Sequence, residues 1–416
     1  PAPWNSLGSV ASLGIGYLKL PVASGIGAAG PGKAQYQVTG YWQSGSATRL
    51  EFGVTDTDHV IVLFEATCSS NSTSCLALVE LTANGGQLRF VQFPSATMPD
   101  VVHVTPTGEV VMAGKLDHSI GFGATPIDAV EHGFYVAKLD RDWRQEFAFA
   151  VSTDRDYALN RIFMGRDGAV YTAVGEAEPK GPSGSEWLIA YRADATELRR
   201  WSAFHVDCLA GTASGSVLAA GWRRDNREIG DVSLPPASGR DGVLFTFDAT
   251  TGEATPILTF GGVDDDEITV VSESPNGEIR LGGKVGRDEM TFAAAWNAST
   301  EPKAFLAQLD RSAQITYAAP LEDVTVISDL VHSADAAFVA GYLVPNGLDP
   351  TTESRLLLGK LSSRGQPEAI VAFDSQAPTL GRIGVDSKGT IWLSGFGQIS
   401  LDEPKVVSAV YRIEQR

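Results

Sequence analysis

The chain is poor in cysteine, in positive charge and in long hydrophobic runs. It has 416 residues, of which 3 are cysteine, and its 50 acidic residues outnumber its 32 basic ones to give a net charge of −18. No run of 18 apolar residues occurs, so the sequence predicts no transmembrane helix. The acidic excess opposes the counterion release that drives nucleic-acid binding, and it disfavours anionic membrane surfaces. We therefore expect neither a nucleic-acid partner nor a membrane span.

Catalytic and metal-binding motifs are also missing. The histidines have no H-x-H or H-E-x-x-H companion and no C-x-x-C pair, so no zinc site is predicted. No G-x-S-x-G run marks a serine nucleophile. The paired carboxylates of a glycosidase have no motif of their own, and the chain offers many Asp and Glu residues. The sequence thus favours a non-enzymatic protein, and an enzyme is the alternative.

Two of the three cysteines stand close together. Cys68 and Cys75 bracket a polar segment between two apolar runs, so they would meet across a hairpin loop if paired. We predict a disulfide, with two free thiols or metal ligation as the alternatives. A disulfide implies an oxidising compartment, and the chain opens at Pro1 without a methionine. We therefore expect an exported protein that is periplasmic, outer-membrane-associated or extracellular; Cys208 is expected to be a small buried apolar residue.

Glycine is abundant, with 44 residues, and it delimits a repeated phrase of about five β-forming residues between two glycines. Copies begin at residues 58, 108, 168, 215, 277, 335 and 389, at intervals of 47 to 62 residues, which leaves room for four short strands in each unit. The clearest copies are GEVVMAG from Gly108, GSVLAAG from Gly215, GEIRLGG from Gly277 and GTIWLSG from Gly389. Seven such units predict an all-β fold, a seven-bladed β-propeller of four-stranded blades.

The two ends of the chain complement each other. The last unit, residues 379–416, stops after its third strand, which leaves an unpaired sheet edge. Residues 36–42 (YQVTGYW) lie where an outer strand is expected. We predict that this N-terminal strand closes the ring by pairing with the last blade. The expected domains are an N-terminal arm at 1–34 and one propeller at 35–416, with 35–43 as the closing strand.

A second phrase follows the first in several units, as in residues 135–140 (YVAKLD). With residues 260–262 (FGG) before three aspartates, 386–389 (DSKG) and 338–341 (FVAG), it resembles the extracellular bacterial β-propeller repeat family of the SBBP type. The resemblance covers roughly residues 50–416, and blades one, three and six depart from its motifs. It implies a propeller fold and export. It supplies no catalytic residues, because that family is mostly of unknown activity.

The long connections are expected to open on one face of the ring, the long-loop face. They join the second strand to the third in blades two to seven and are, in order, 116–133, 175–186, 222–241, 285–303, 343–354 and 397–405. Loops on a rigid scaffold commonly carry binding, so we predict that this face binds a protein or a glycan. Side chains here would stack on sugar rings or on a partner's apolar surface, with packing at blade junctions as the alternative. The candidates are Phe122, Trp222, Arg223, Phe292, Trp296 and Tyr342.

Acidic residues cluster in connections on the same face. Carboxylates and nearby carbonyls supply the oxygen ligands of Ca²⁺, although no EF-hand pattern is present. Calcium is the one cofactor that the sequence suggests, and solvated acidic turns are the alternative. The candidate ligands are Asp154, Asp156, Asp264, Asp265, Asp266 and Glu267.

The inner strands, aligned on their turns, place one residue of each blade in a common register: Glu51, Val101, Arg161, Cys208, Val270, Ser328 and Arg382. Glu51, Arg161 and Arg382 share it and would converge in the axial channel if the register faces inwards, with His103 two positions further along. Arginine geometry suits a carboxylate or phosphate, so these residues are candidates for binding a small anion in the channel. An internal network of arginine, glutamate and water is the alternative.

Two functional hypotheses follow. The first is an exported, non-enzymatic binding or scaffolding protein of the cell envelope that recognises a protein or glycan with its long-loop face. The alternative is a metal-dependent hydrolase or lyase with its site at the mouth of the axial channel. The second requires three or more carboxylates or histidines within coordination distance.

Overall fold

The fold is taken from a computed structural model. It describes fifteen stretches of the chain: residues 36–43, 50–67, 74–96, 98–123, 126–153, 157–176, 186–224, 228–237, 239–286, 303–321, 324–333, 336–343, 355–374, 382–398 and 406–415.

Seven four-stranded antiparallel sheets form the blades of a β-propeller, as the sequence predicts. The innermost strands of blades one to seven are β2 (Leu50–Val54), β6 (Val101–Val104), β10 (Tyr157–Met164), β14 (His205–Gly211), β20 (Glu267–Glu273), β24 (Val326–His332) and β28 (Ile383–Val385). The second strands are β3 (Val60–Thr67), β7 (Val110–Lys115), β11 (Val170–Glu176), β15 (Val217–Arg223), β21 (Ile279–Val285), β25 (Ala337–Leu343) and β29 (Ile391–Gln398).

The outer half of each blade repeats the same order. The third strands are β4 (Ser74–Leu81), β8 (Gly133–Leu139), β12 (Glu186–Tyr191), β18 (Asp241–Phe247), β22 (Lys303–Leu309), β26 (Arg355–Leu361) and β30 (Val406–Gln415). The outermost strands are β5 (Gln87–Phe93), β9 (Gln145–Ser152), β13 (Glu197–Ser202), β19 (Ala254–Phe260), β23 (Ile315–Leu321), β27 (Pro367–Asp374) and β1 (Tyr36–Gln43). A small hairpin, β16 (Glu228–Ile229) and β17 (Val232–Ser233), lies between β15 and β18.

The two glycines of the repeated phrase serve different purposes. The first lies in the turn after the innermost strand with a positive φ, as in Gly215 (97°), which side chains rarely tolerate. The second lies on the second strand where the inner strand comes very close. A Cβ at Gly221 would stand 1.8 Å from the carbonyl oxygen of His205, and Gly283 has the same relation to Glu267 at 2.0 Å. The repeated phrase therefore encodes a turn after the inner strand and a position where the inner and second strands come too close for a side chain.

The inner strands of blades three to six each contain a β-bulge. The extra residues are Asn160, Asp207, Thr269 and Ser328, which stand between consecutive register partners on β11, β15, β21 and β25. β2 and β6 pair without a shift. Because a bulge re-aims side chains, it changes what those four blades present towards the axis.

The outermost strand of blade seven is β1, antiparallel to β30 from Tyr36↔Gln415 to Gln43↔Ala409. This is the segment that the sequence assigns to the last blade. At the junction of blades seven and one, Trp392 is buried to 2% exposure in a cluster with Val62 and Val79. The first and last repeats thus share an apolar core.

The core lies between neighbouring blades. Side chains of the second and third strands fill each junction; between blades one and two, Leu63 and Leu78 pack with Met112 and Tyr135, all at 1% exposure or less. Each such burial contributes roughly 1.5–3 kcal/mol. Within the described ranges, no helix has the length and hydropathy to cross a membrane.

Candidate functional site

One residue from each inner strand forms a ring around the axis. Six members lie opposite equivalent positions of the second strands, from Glu51↔Leu63 to Asp329↔Ala340. Arg382 directly precedes β28 and is held opposite Ser394, which donates its N–H to the Arg382 carbonyl and accepts the Arg382 N–H with its hydroxyl oxygen, both at 2.9 Å. In order of the blades, the ring is Glu51, Val101, Arg161, Cys208, Val270, Asp329 and Arg382. We call it the channel ring.

The sequence alignment places Ser328 in this register, and that placement is wrong. The turn after β24 closes with a hydrogen bond from Ser333 N–H to the Ala336 carbonyl, whereas the corresponding turn in blade five spans Ser274 to Glu278. The turn is one residue shorter, so the position belongs to Asp329.

Glu51 and Arg382 form an ion pair across the junction of blades one and seven. Glu51 Oε2 lies 3.4 Å from Arg382 Nε, and the two side chains are 22% and 33% exposed. Because Glu51 lies on the innermost strand of blade one and Arg382 directly precedes that of blade seven, this exposure places both side chains on the axial channel. Glu51, and then Asp329, hold the pKa of Arg382 above its ordinary value.

Arg161 faces the same space from blade three. Its Nη1 donates to the carbonyl of Asn160 at 2.7 Å, and it makes no ion pair with any residue that the structure describes. Burial, together with repulsion from Arg382, lowers its pKa, while Asp207 and Glu51 act in the opposite direction. Its charge is thus only partly compensated.

Asp329 joins blades six and seven. Its carboxylate accepts the N–H of Leu330 at 2.9 Å and that of Ile383, on the next blade, at 3.0 Å. Burial raises its pKa, although Arg382 and the two backbone donors oppose the shift. The structure therefore brings Glu51, Arg161 and Arg382 together as predicted and adds an acid that the sequence alignment missed.

His103 and Cys208 complete the lining. The His103 ring packs on Phe163 with centroids 4.5 Å apart, and burial followed by repulsion from Arg382 lowers its pKa to about 4, so the ring is neutral at physiological pH. The Cys208 thiol lies 3.7 Å from the carbonyl oxygen of Val271 on the next blade, and burial raises its pKa. Cys208 is half-buried and packs against the apolar core between blades four and five.

A second group of polar side chains lies where the channel opens on the long-loop face. We call Glu186, His205, Asp207, Trp222, Arg240 and Glu267 the mouth cluster. His205 starts β14 directly opposite Trp222, and their rings stack with centroids 4.7 Å apart. The Arg240 guanidinium lies 4.3 Å from the Trp222 centroid. The indole thus contacts the His205 ring and the Arg240 guanidinium.

Carboxylates surround this stack. Glu186 lies 3.2 Å from His205 Nδ1 and Asp207 lies 3.5 Å from Nε2. Burial alone would lower the His205 pKa, but these two acids raise it to about 9. Burial and the neighbouring Asp207 raise the pKa of Glu267, which lies 3.9 Å from Arg240. His205 is therefore a cation at neutral pH.

Two residues predicted for the binding face are buried. Phe122 is 2% exposed and packs on Phe93 and Tyr135, with centroids 5.8 and 5.7 Å away. Arg223 is 4% exposed and pairs with Asp241 at 3.0 Å. Placing these side chains on an exposed binding surface is wrong, because Phe122 fills the junction between blades one and two and Arg223 is buried against Asp241 of its own blade.

The other candidates of that face divide into two groups. Trp222 belongs to the mouth cluster, and Tyr342 is half-buried near Glu267, with its pKa raised by burial and then by that acid. Phe292 and Trp296 lie outside the described residues, as do Asp154 and Asp156 of the calcium prediction. Cys68 also lies outside them, so its pairing with Cys75, which is buried on β4, stays a prediction.

The acidic segment at 264–267 organises its loop. Asp266 is 5% exposed and accepts the N–H groups of Gly262 and Gly286 at 3.1 and 2.9 Å, while burial raises its pKa to about 6. Asp265 accepts the Arg240 N–H at 3.3 Å. No three acidic, histidine or cysteine side chains converge as a metal site among the described residues. Calcium stays a prediction, and the metal-dependent alternative gains no ligand group in this part of the chain.

Comparisons with known proteins do not assign the chain to a family. No family model matches the chain, and no curated protein matches it. A protein of unknown function from Dyadobacter fermentans is similar in structure, with 9% identity, a TM-score of 0.43 and coverage of 92% of this chain and 99% of that one. The polysaccharide lyase Uly1 is similar with 11% identity and a TM-score of 0.47, over 87% of this chain and 89% of that one. The Neurospora crassa Pan2 WD40 domain is similar with 9% identity and a TM-score of 0.45, over 92% of this chain and 96% of that one. No role is transferred from them, and membership of the SBBP-type family stays a prediction.

Proposed function

We propose that this protein is an exported, non-enzymatic binding protein of the cell envelope that recognises a protein or a glycan with its long-loop face. The observation that carries the proposal is the mouth cluster, in which partly exposed acids, His205, Arg240 and Trp222 gather on that face. Functional surfaces concentrate such groups on loops held by a rigid scaffold.

The proposal is tested by covering one face at a time. Val263, which is 66% exposed, lies on the long-loop face, and Asn84 lies in an exposed turn of the opposite face. Val263→Cys and Asn84→Cys, each in a Cys208→Ala background, allow the protein to be tethered through either face. We expect a glycan array and a panel of purified envelope proteins to be bound only by the Asn84-tethered protein. Equal binding by both, or by neither, contradicts the proposal.

Export has its own test. The predicted bridge between Cys68 and Cys75 supports an oxidising location, since disulfides persist in exported proteins and rarely in the cytosol. Non-reducing peptide mass spectrometry of protein from the native host should recover the two cysteines as one cross-linked peptide. Recovery of both as alkylated free thiols argues against export.

A second candidate function is the binding of a small carboxylate or phosphate in the channel. Arg161 favours it, because its guanidinium has no ion pair among the described residues and stands within electrostatic range of Arg382. We expect citrate or inorganic phosphate at constant ionic strength to raise the unfolding temperature of the natural protein but not that of Arg161→Ala. An equal rise in both contradicts this function.

A further inference from the structure

A cleft of about 180 Å³ opens on the long-loop face between blades two and three. Phe134 from β8, Val174 from β11 and Ile189 from β12 form its apolar floor. Trp187, Arg200 and Ser152 stand around it, and all three retain exposure to solvent. The cleft lies apart from the channel ring and the mouth cluster, and no sequence motif marks it.

The strands of blade three place the aromatic and the basic group side by side. Trp187 and Ile189 alternate along β12 and therefore share one face of the sheet, and Arg200 on β13 lies directly opposite Ile189. The guanidinium carbon of Arg200 is 5.7 Å from the Trp187 ring centroid. One flat apolar surface and one planar donor group thus border the same space.

The donor group is oriented and nearly neutralised. Arg200 donates through Nε and Nη2 to the two carboxylate oxygens of Glu197, at 3.1 and 2.7 Å. This bidentate pair, more than any other contact, raises the Arg200 pKa. Nη1 makes no hydrogen bond to a described residue. A compensated guanidinium with a fixed free edge suits a neutral hydroxyl better than an anion, which would have to compete with Glu197.

The size of the cleft limits the ligand to one ring. Its volume corresponds to about six water molecules at roughly 30 Å³ each. That is smaller than the 300–1,000 Å³ of sites for drug-sized molecules. A flat ligand with an apolar face and a hydroxyl edge would contact the indole and the floor with one side and Arg200 and Ser152 with the other.

We propose that this cleft binds a single neutral pyranose ring of a glycan, with Trp187 under the C–H face of the ring and Arg200 donating to a ring hydroxyl. The inference rests on the proposed function and narrows its partner to a glycan. Glu197 fixes Arg200 and has a positioning role.

The test uses the whole chain and defined probes. Methyl glycosides of glucose, galactose, mannose and N-acetylglucosamine are offered at millimolar concentration, and binding is measured by saturation-transfer NMR and by titration calorimetry. We expect Trp187→Ala to weaken the best binder at least tenfold and Arg200→Ala about fivefold. Arg199→Ala, the neighbour on the other face of β13, should stay within twofold. Trp187→Phe keeps an apolar ring in the junction and should retain part of the affinity.

Each outcome separates this inference from the proposed function. If a glycoside binds and the Trp187 and Arg200 variants bind it as well as the natural protein does, the cleft is not the site, whereas recognition by the long-loop face still stands. If no glycoside or glycan binds but an envelope protein is captured through the long-loop face, the pyranose inference fails alone. If the natural protein binds nothing through that face, both fail. Unfolding temperatures within a few degrees of the natural protein exclude misfolding as the cause of a loss.

Discussion

The two faces of the ring satisfy their polar groups in different ways. On the short-turn face, opposite the long loops, each turn is bonded within a few residues; Asp310, for example, accepts the N–H groups of Ser312 and Gln314 at 2.8 and 3.0 Å. On the long-loop face, bonds join residues 18 and 20 positions apart, as in Arg223 with Asp241 and Asp266 with Gly286. Each short turn is thus held by the same kind of local bond, whereas the long loops depend on partners outside their own turn.

The largest expected difference concerns one ion pair on each face. Asp241→Asn removes the carboxylate charge that lies 3.0 Å from the buried Arg223 guanidinium, and we expect it to lower the free energy of unfolding by about 3–5 kcal/mol. On the short-turn face Glu109 pairs with Lys138 at 2.6 Å, and Glu109→Gln should cost about 1 kcal/mol, because Lys138 keeps Glu146 at 2.9 Å. Urea unfolding monitored by fluorescence measures both.

A double variant isolates the charge. Arg223→Met with Asp241→Leu removes both partners, and we expect it to recover most of the stability lost in Asp241→Asn. Equal costs for Asp241→Asn and Glu109→Gln would break the comparison between the faces.

The next largest difference in unfolding free energy is expected between the two glycines of the repeated phrase, the one on the second strand and the one in the short turn. Gly221→Ala places a Cβ against the His205 carbonyl, and we expect a loss of about 3 kcal/mol because backbone must move. Gly215→Ala in the short turn meets no atom within 4 Å and should cost about 1–2 kcal/mol, from its positive φ alone. Denaturant midpoints at constant m-value give the order, and a larger loss at Gly215 would contradict this reading of the repeat.

Histidines on the two faces should give stability opposite dependence on pH. The folded pKa of His205 is about 9, above the unfolded value of about 6.5, so its contribution is full below pH 6.5 and is lost as the pH rises through 9. His332, near the short-turn face, has its pKa lowered to about 4 by burial and then by Arg280, so its contribution is lost as the pH falls from 6.5 through 4.

Two variants separate these pH dependences. His205→Asn should reduce the loss of unfolding free energy at alkaline pH, and His332→Asn should reduce the loss at acid pH, each by on the order of 1–2 kcal/mol. Unfolding free energies at pH 4.5, 7 and 9.5 measure the effect, with the histidine NMR signals as a direct check. A His205 signal that titrates near pH 6.5 would show that the acids of the mouth cluster do not interact with His205.

The smallest expected effect lies at the seam between the first and last repeats. Asp58 occupies the turn position of the first glycine with a φ of 62° and accepts the N–H and hydroxyl of Ser387 at 2.7 and 2.8 Å. Those two bonds hold its pKa below the ordinary value. Asp58→Gly suits the φ but loses both bonds, so we expect a cost of about 1 kcal/mol.

Ser387→Ala is the matched partner of this change. It removes only the hydroxyl bond and should cost less than Asp58→Gly, and the two changes together should cost no more than Asp58→Gly alone. Unfolding midpoints of the two single variants and the double variant measure these costs. Additive losses of stability would mean that Asp58 and Ser387 act independently at the seam.

The repeat made the ring and its channel predictable. Glycines at fixed turn positions determine the inner-strand register, which is why Glu51, Arg161 and Arg382 could be placed together from the sequence. Asp329 was missed because one turn is a residue shorter, and a one-residue slip exchanges the faces of a strand.

The long-loop face was far less predictable. The stack of His205 on Trp222 depends on cross-strand register next to a bulge, and the cleft depends on Arg200 facing Ile189 beside another shift in pairing. Phe122 and Arg223 looked exposed because they stand in or next to long connections, yet Phe122 is buried against Phe93 of the neighbouring blade and Arg223 against Asp241 of the adjacent strand. Contacts of this kind leave no pattern in the local sequence.

The most direct test of a recognition surface on the long-loop face is hydrogen exchange of the whole chain with and without its strongest-binding oligosaccharide. We predict added protection at 152–153, 157–159 and 186–189, around the cleft, with the short turns at 105–109, 165–169 and 274–278 unchanged. Protection confined to those short turns would contradict the account.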